Sequence, residues 1–106
     1  DFLYIDDFID LIEKFLNKKT FFNGEIFNIG SGKPKNIKQI IKLTNKIIKG
    51  GNPLYGKIKL RKDELINLYP NIQKIKKYTN WRPKTNFNYG LKKTINYYEK
   101  NIKQKI

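Results

Sequence analysis

The sequence predicts an α/β fold made of two strand–helix units and a smaller mixed α/β part. Each of two short apolar runs, at residues 3–5 and 25–29, is followed by a segment whose apolar residues recur with helical spacing. The second run ends in Gly30-Ser31-Gly32, and a strand, a glycine elbow and a helix in that order are typical of α/β proteins. We therefore divide the 106 residues into a strand–helix–strand–helix part, 1–50, and a smaller part, 51–106, that ends in a helix.

The first helix is predicted from an apolar stripe that follows two acidic residues. Either Asp6 or Asp7 can cap the helix N-terminus, because a carboxylate accepts hydrogen bonds from the unpaired backbone N–H groups there. The stripe has the i, i+3, i+4, i+7, i+8 spacing of one helix face and consists of Phe8, Leu11, Ile12, Phe15 and Leu16. Asn23-Gly24 then indicates a turn before the second strand.

Three further helices and one exposed strand are predicted after the elbow. Asn36 is a candidate N-cap for the second helix, and Gly50-Gly51 would end it, because glycine tolerates the left-handed conformation after a last turn. Residues 57–60 alternate charged and apolar side chains, as an exposed strand does. A short helix is predicted over 71–78, and the last helix from about residue 85 or 86 to about 103.

The residue types that the chain lacks restrict its chemistry. It contains no Cys, which excludes disulfides, thiolate metal sites and cysteine catalysis, and no His, the commonest general base and metal ligand. No apolar run is long enough to cross a membrane and no signal-peptide pattern occurs, so we expect a cytoplasmic location. The chain contains no Met and begins within a strand-like run, which predicts a C-terminal fragment of a longer protein.

The net charge of +14 leaves two interpretations open. A strongly basic chain can be a nucleic-acid-binding module. Alternatively, the charge reflects an AT-rich coding sequence, since Ala and Val are absent, Ile, Asn and Lys are abundant, and Arg occurs only at Arg61 and Arg82. The lysines are spread over every segment without a dense basic block, which favours the second interpretation.

The glycine elbow does not match a phosphate-binding loop. A dinucleotide loop needs G-x-G-x-x-G, and Lys35 stands where the third glycine would allow the helix to pack closely. The mononucleotide pattern G-x-x-x-x-G-K-[ST] fails as well, because Phe27 replaces its first glycine and Pro34 its hydroxyl residue. We therefore expect a tight turn from a strand into a helix, without a cofactor.

Several short motifs resemble, in order, those of the extended short-chain dehydrogenase/reductases, which include NAD(P)-dependent nucleotide-sugar epimerases and dehydratases. The chain has DFLYIDD where that family has (R)DFxYVDD, and EIFNIGSGKP where it has GEVFNIGSGKP. The later segments LRKDE, LYPNIQK, NWRPKT and GLKKTI resemble xRPGE, LYADISK, GWRPKT and GLRKTI. The resemblance covers essentially the whole chain and only the C-terminal, substrate-binding part of the family. It implies that strands 3–5 and 25–29 belong to the edge of a Rossmann-type sheet.

The resemblance also implies three substrate-binding residues. Arg61 aligns with an arginine that contacts the substrate diphosphate, and a guanidinium can donate two parallel hydrogen bonds to phosphate oxygens. Glu64 aligns with an acid that hydrogen-bonds the ribose hydroxyls, although Lys62-Asp63 replaces the Pro-Gly before it. Phe2 aligns with an aromatic residue near the nucleotide. The alternatives are that Arg61 and Glu64 form a surface pair and that Phe2 is a core residue.

The function that the resemblance implies is nucleotide-sugar binding within a longer enzyme. The missing N-terminal Rossmann portion would carry NAD or NADP and the catalytic Tyr-x-x-x-Lys pair, and the whole enzyme would make sugars for surface polysaccharides. Tyr55 and Lys59 have the same spacing, but their segment is predicted as loop and strand, where they would not share a helix face. We therefore expect no catalytic residue, no bound cofactor and no metal in this chain, which is expected to bind the nucleotide-sugar and to self-associate when alone.

Overall fold

The computed structural model describes residues 1–17 and 24–103, and these contain four α-helices. The helices are α1 (Ile5–Asn17), α2 (Ile37–Ile48), α3 (Gln73–Thr79) and α4 (Phe87–Lys103). The described part contains no β-strand. The predicted α/β fold with edge strands of a Rossmann-type sheet is therefore wrong, and the described part of the chain is all-helical.

The predicted strands do not form, because an extended segment becomes a strand only when a neighbouring segment completes its hydrogen-bond ladder. Ile5, in the first predicted strand, is the first residue of α1, and residues 25–29 and 57–60 are irregular. In the second predicted strand, a side chain rather than a neighbouring strand binds the backbone. Lys74 donates from Nζ to the carbonyl oxygen of Ile26 at 2.9 Å and also pairs with Glu25. Local sequence gives an extended segment its apolar pattern but not its partner.

The first helix begins before both of its predicted caps. The carbonyl oxygen of Tyr4 accepts hydrogen bonds from the backbone N–H groups of Asp7 and Phe8, at 3.1 and 3.4 Å. Asp6 and Asp7 thus lie in the first turn of α1, where acidic side chains interact favourably with the helix dipole. The turn predicted at Asn23-Gly24 lies partly outside the described residues; Gly24 itself has a φ of 75°.

The remaining helices follow the sequence predictions closely. Asn36 caps α2 as predicted, since its side-chain oxygen accepts from the backbone N–H of Gln39 at 3.3 Å. The left-handed residue at the end of α2 is Lys49, with a φ of 53°, one position before the predicted glycine pair. Helix α3 begins two residues later than predicted, after Asn71 accepts from the backbone N–H of Gln73 at 3.0 Å.

The core of the described part is small and lies between α1, α3 and the segment that follows α3. Its buried apolar side chains are Leu11, Ile72, Ile75 and Trp81, with Leu3, Phe15, Phe27 and Ile29 partly buried against them. The Trp81 indole donates from Nε1 to the backbone carbonyl of Asp7 at 2.9 Å, so the largest core side chain is also hydrogen-bonded to α1.

Asp7 connects α1 to the turn that precedes α4. The residue is 6% exposed, and its carboxylate accepts hydrogen bonds from the backbone N–H of Lys84, at 3.2 Å, and from the backbone N–H and hydroxyl of Thr85, both at 3.0 Å. These bonds fix the start of α4, which also lies against α2. Asp7, one of the two predicted helix caps, therefore forms long-range hydrogen bonds to the segment before α4.

The Cα radius of gyration is 17.3 Å, larger than the roughly 13 Å expected for a compact chain of this length. Many large apolar side chains remain exposed, among them Ile58 at 91% and Ile66 at 87%.

The described helices are too short or too polar to cross a membrane.

Candidate functional site

The backbone N–H groups of the glycine elbow bind a carboxylate side chain of the same chain. The backbone N–H groups of Ser31 and Gly32 donate to the two carboxylate oxygens of Asp1, at 2.8 and 2.9 Å. Gly32 has a φ of 69°, which glycine adopts without strain. A Cβ at buried Gly30 would collide with the ring of Pro70, so this position requires glycine. Because the elbow donors bind Asp1, the elbow does not fit the pyrophosphate of a dinucleotide cofactor.

Arg61 and Glu64 lie together in a tight surface turn. The Arg61 backbone N–H donates to Oε2 of Glu64 at 3.2 Å, and the Glu64 backbone N–H donates to the Arg61 carbonyl oxygen at 3.2 Å. The Arg61 Nε atom lies 4.0 Å from the same Glu64 oxygen. The Arg61 side chain is 81% exposed, so its guanidinium keeps most of its donors available to an anion in solution.

A cleft of about 300 Å³ brings Glu64 and Phe2 together. Its walls are mostly apolar, with Leu60, Leu65 and Ile66 beside Glu64. Arg61 is not among the residues that line this cleft, although its backbone N–H binds the Glu64 carboxylate. Of the three predicted substrate-binding residues, the structure thus places two in one cleft and the third beside it.

A second, larger cleft of about 540 Å³ adjoins the first, and Phe2 and Lys35 line both. The Phe2 ring contacts Phe87 edge-on, with ring centroids 5.9 Å apart. Phe2 is therefore neither free nor a core residue, because it forms part of the wall between the two clefts.

Four basic residues of the larger cleft were missed by the sequence predictions. They come from the segment between the elbow and α2, from α3 and from the segment before α4: Lys33, Lys35, Lys76 and Arg82. The only sequence signal for them is that Arg82 is one of two arginines in a lysine-rich chain. Nothing in the local pattern indicates that residues about 50 positions apart line one cavity.

Two further groupings in the described part of the chain are its acidic residues and the pair of Tyr55 and Lys59. No group of three or more Asp or Glu side chains within the described part is placed to hold a metal ion. Tyr55 lies in a turn and Lys59 in irregular backbone, so the two do not share a helix face.

Comparison with known proteins finds similarity to part of a sugar epimerase. The chain is 34% identical over 103 residues to a UDP-glucuronate 4-epimerase of Thermodesulfobacterium geofontis, a match that covers 96% of this chain and 31% of that protein. It is 29% identical over 102 residues to an uncharacterized protein of Methanocaldococcus jannaschii, covering 95% of this chain and 30% of that protein.

The chain thus spans about a third of the length of the curated relatives that it matches. No protein-family profile matches the chain. No solved structure matches it either.

Proposed function

We propose that this chain is the nucleotide-sugar-binding, C-terminal portion of an extended short-chain dehydrogenase/reductase that epimerises, dehydrates or reduces a nucleotide-sugar. The observation that carries the proposal is the 34% identity to a UDP-glucuronate 4-epimerase along 96% of the chain. The ordered motifs from residue 1 to residue 95 support the same family and the same portion of it. The whole enzyme would act in the cytoplasm on sugars for surface polysaccharides.

The smaller cleft and the turn beside it supply the groups that such a substrate needs. The apolar walls and the Phe2 ring suit a nucleotide base, and the Glu64 carboxylate accepts hydrogen bonds from ribose hydroxyls. The exposed Arg61 guanidinium at the rim suits the diphosphate, because it donates two parallel hydrogen bonds to phosphate oxygens. The proposed contribution of this chain is to bind and orient the substrate.

The nicotinamide cofactor belongs, in this proposal, to the remaining two thirds of the enzyme. The elbow donors that could face a pyrophosphate bind the Asp1 carboxylate, and Lys35 stands where a dinucleotide loop needs a third glycine. We therefore expect the chain alone to bind neither NAD nor NADP and to catalyse no turnover. Its natural partner would be the Rossmann portion of the same enzyme.

The first prediction concerns UDP binding by the chain. Calorimetric titration should show saturable binding of UDP, and Arg61→Gln should weaken it about tenfold, because one charge-assisted pair of hydrogen bonds is lost. NAD in the same experiment should give no binding heat.

Lys57→Gln is the matched control, because it removes one positive charge from an exposed position outside both clefts. Equal weakening by Arg61→Gln and Lys57→Gln would refute the assigned role of Arg61. Saturable NAD binding would refute the assignment of the cofactor to the missing portion.

Nucleic-acid binding is the second candidate, and the net charge of +14 is the observation behind it. A titration of a single-stranded oligonucleotide at several salt concentrations separates the two functions. Tight binding with a steep loss of affinity in salt, together with no UDP binding, would favour the nucleic-acid function.

A further inference from the structure

The larger cleft is lined by one sign of charge. Its lining residues come from segments 2–4, 31–35 and 82–94 and from α3, with Ile40, Ile72 and Leu91 contributing apolar surface. Among the described residues that line it, four are basic and none is Asp or Glu. Its volume of about 540 Å³ lies within the range of small-molecule sites.

The basic side chains of this cleft have no acidic partners within the described part of the chain. The ion pairs found there involve Arg61, Lys74, Lys84 and Lys93, none of which lines the cleft. Lys35 is held over the Phe87 ring, with Nζ 5.0 Å from the centroid, a contact that leaves its N–H donors available.

Two carboxylates, those of Asp1 and Asp7, accept backbone hydrogen bonds from residues that line the cleft or lie next to a lining residue. Asp1 accepts from Ser31 and Gly32, and Asp7 accepts from Lys84 and Thr85. Ser31 and Thr85 line the cleft, so each carboxylate is hydrogen-bonded to a lining residue. Neither carboxylate forms an ion pair with a basic side chain of the cleft.

Unpaired like charges around a concave surface raise the local positive potential, because low-dielectric walls focus the field. The repulsion between them is relieved when an anion enters. Arg82 can donate two parallel hydrogen bonds to one phosphate group, and three ammonium groups can each donate to phosphate oxygens. An anion with one negative charge would neutralise only one of the four positive charges that line the cleft.

We propose that this cleft is a separate binding site for a small polyanion of the diphosphate class, held by Arg82, Lys76, Lys33 and Lys35. The site is distinct from the turn of Arg61 and Glu64, since neither residue lines it. It shares Phe2 and Lys35 with the smaller cleft, but Lys33, Lys76 and Arg82 line the larger cleft and not the smaller one.

The test uses inorganic pyrophosphate as the probe and the whole 106-residue chain. Calorimetry should detect saturable binding, and the backbone amide NMR signals of Ser31, Thr85 and Gly90 should shift during the titration. The double variant Lys76→Gln/Arg82→Gln should weaken binding tenfold or more, because two charge-assisted contacts are removed.

The matched control is Lys57→Gln/Lys62→Gln, which removes the same charge from exposed positions that line neither cleft. It should change the affinity less than twofold. Equal weakening by both double variants would overturn the proposal, because binding would then follow net charge alone. Absence of saturable binding, or displacement of pyrophosphate by a far tighter oligonucleotide, would also overturn it.

The two binding proposals can fail separately. Loss of UDP binding in Arg61→Gln reports on the substrate site, whereas loss of pyrophosphate binding in Lys76→Gln/Arg82→Gln reports on the larger cleft.

Discussion

Asp7 illustrates how a single carboxylate can organise this chain. A buried charge is unfavourable unless hydrogen bonds replace its water, and three donors from Lys84 and Thr85 do so here. The backbone of the same residue accepts the Trp81 indole N–H. One residue of α1 therefore holds both the main core side chain and the start of α4.

We predict that Asp7→Asn destabilises the chain by about 2 kcal/mol, because an amide nitrogen would face donors that now meet a carboxylate oxygen. Asp10→Asn is the control: Asp10 pairs with the exposed Lys84 ammonium, at 3.7 Å, and its loss should cost less than about 1 kcal/mol. Urea denaturation followed by circular dichroism measures both. A loss in Asp7→Asn as small as that expected for Asp10→Asn would contradict a stabilising role of the Asp7 network.

At the level of elements, the elbow before α2 is held by contacts rather than by a sheet. Asp1 binds its N–H groups, and Gly30 lies against Pro70, 40 residues further along the chain. The cap at Asn36 follows directly, so the elbow sets where α2 begins. The same contacts bring Lys33 and Lys35 to the larger cleft.

Gly30→Ala tests this arrangement. The new Cβ would overlap Pro70 and lie 3.2 Å from an Asp1 carboxylate oxygen, and we expect a destabilisation of about 1–3 kcal/mol. Gly50→Ala is the matched control, since Gly50 has no positive φ and its nearest neighbour is 3.9 Å away. Thermal melts of the two variants should differ clearly; coincident melting temperatures would contradict the close packing at Gly30.

For the whole molecule, the important property is the amount of apolar surface left uncovered. A radius of gyration of 17.3 Å and a core of few buried side chains mean that the described part buries less than a compact domain would. Uncovered surface of this kind favours association with other protein surfaces. Within the proposed function, the rest of the enzyme would cover it.

We therefore predict that the chain self-associates when it is alone. Sedimentation velocity should show dimers or larger species at high concentration, and Ile58→Lys/Ile66→Lys should shift the distribution towards monomer. Lys57→Gln, a change of charge in the same segment, should leave the distribution unchanged. A monomer at all concentrations with a cooperative melt would contradict the prediction.

The positions of the helices could be predicted from local residue patterns. Helical periodicity and capping depend on residues within one or two turns, so the ranges of α1, α2 and α4 and the cap at Asn36 were predictable to within a few residues. The sequence also indicated the similarity to nucleotide-sugar enzymes, through motifs that are continuous in the chain.

The remaining features could not be predicted in this way, because they depend on contacts between residues far apart in sequence. The extended runs became irregular segments since no neighbouring strand pairs with them in the described part, and Asp7 became an anchor because Lys84 and Thr85 lie beside it. The convergence of Lys33, Lys35, Lys76 and Arg82 on one cleft is of the same kind. Local patterns fix local hydrogen bonds, whereas ladders, buried carboxylates and clefts require partners that only folding supplies.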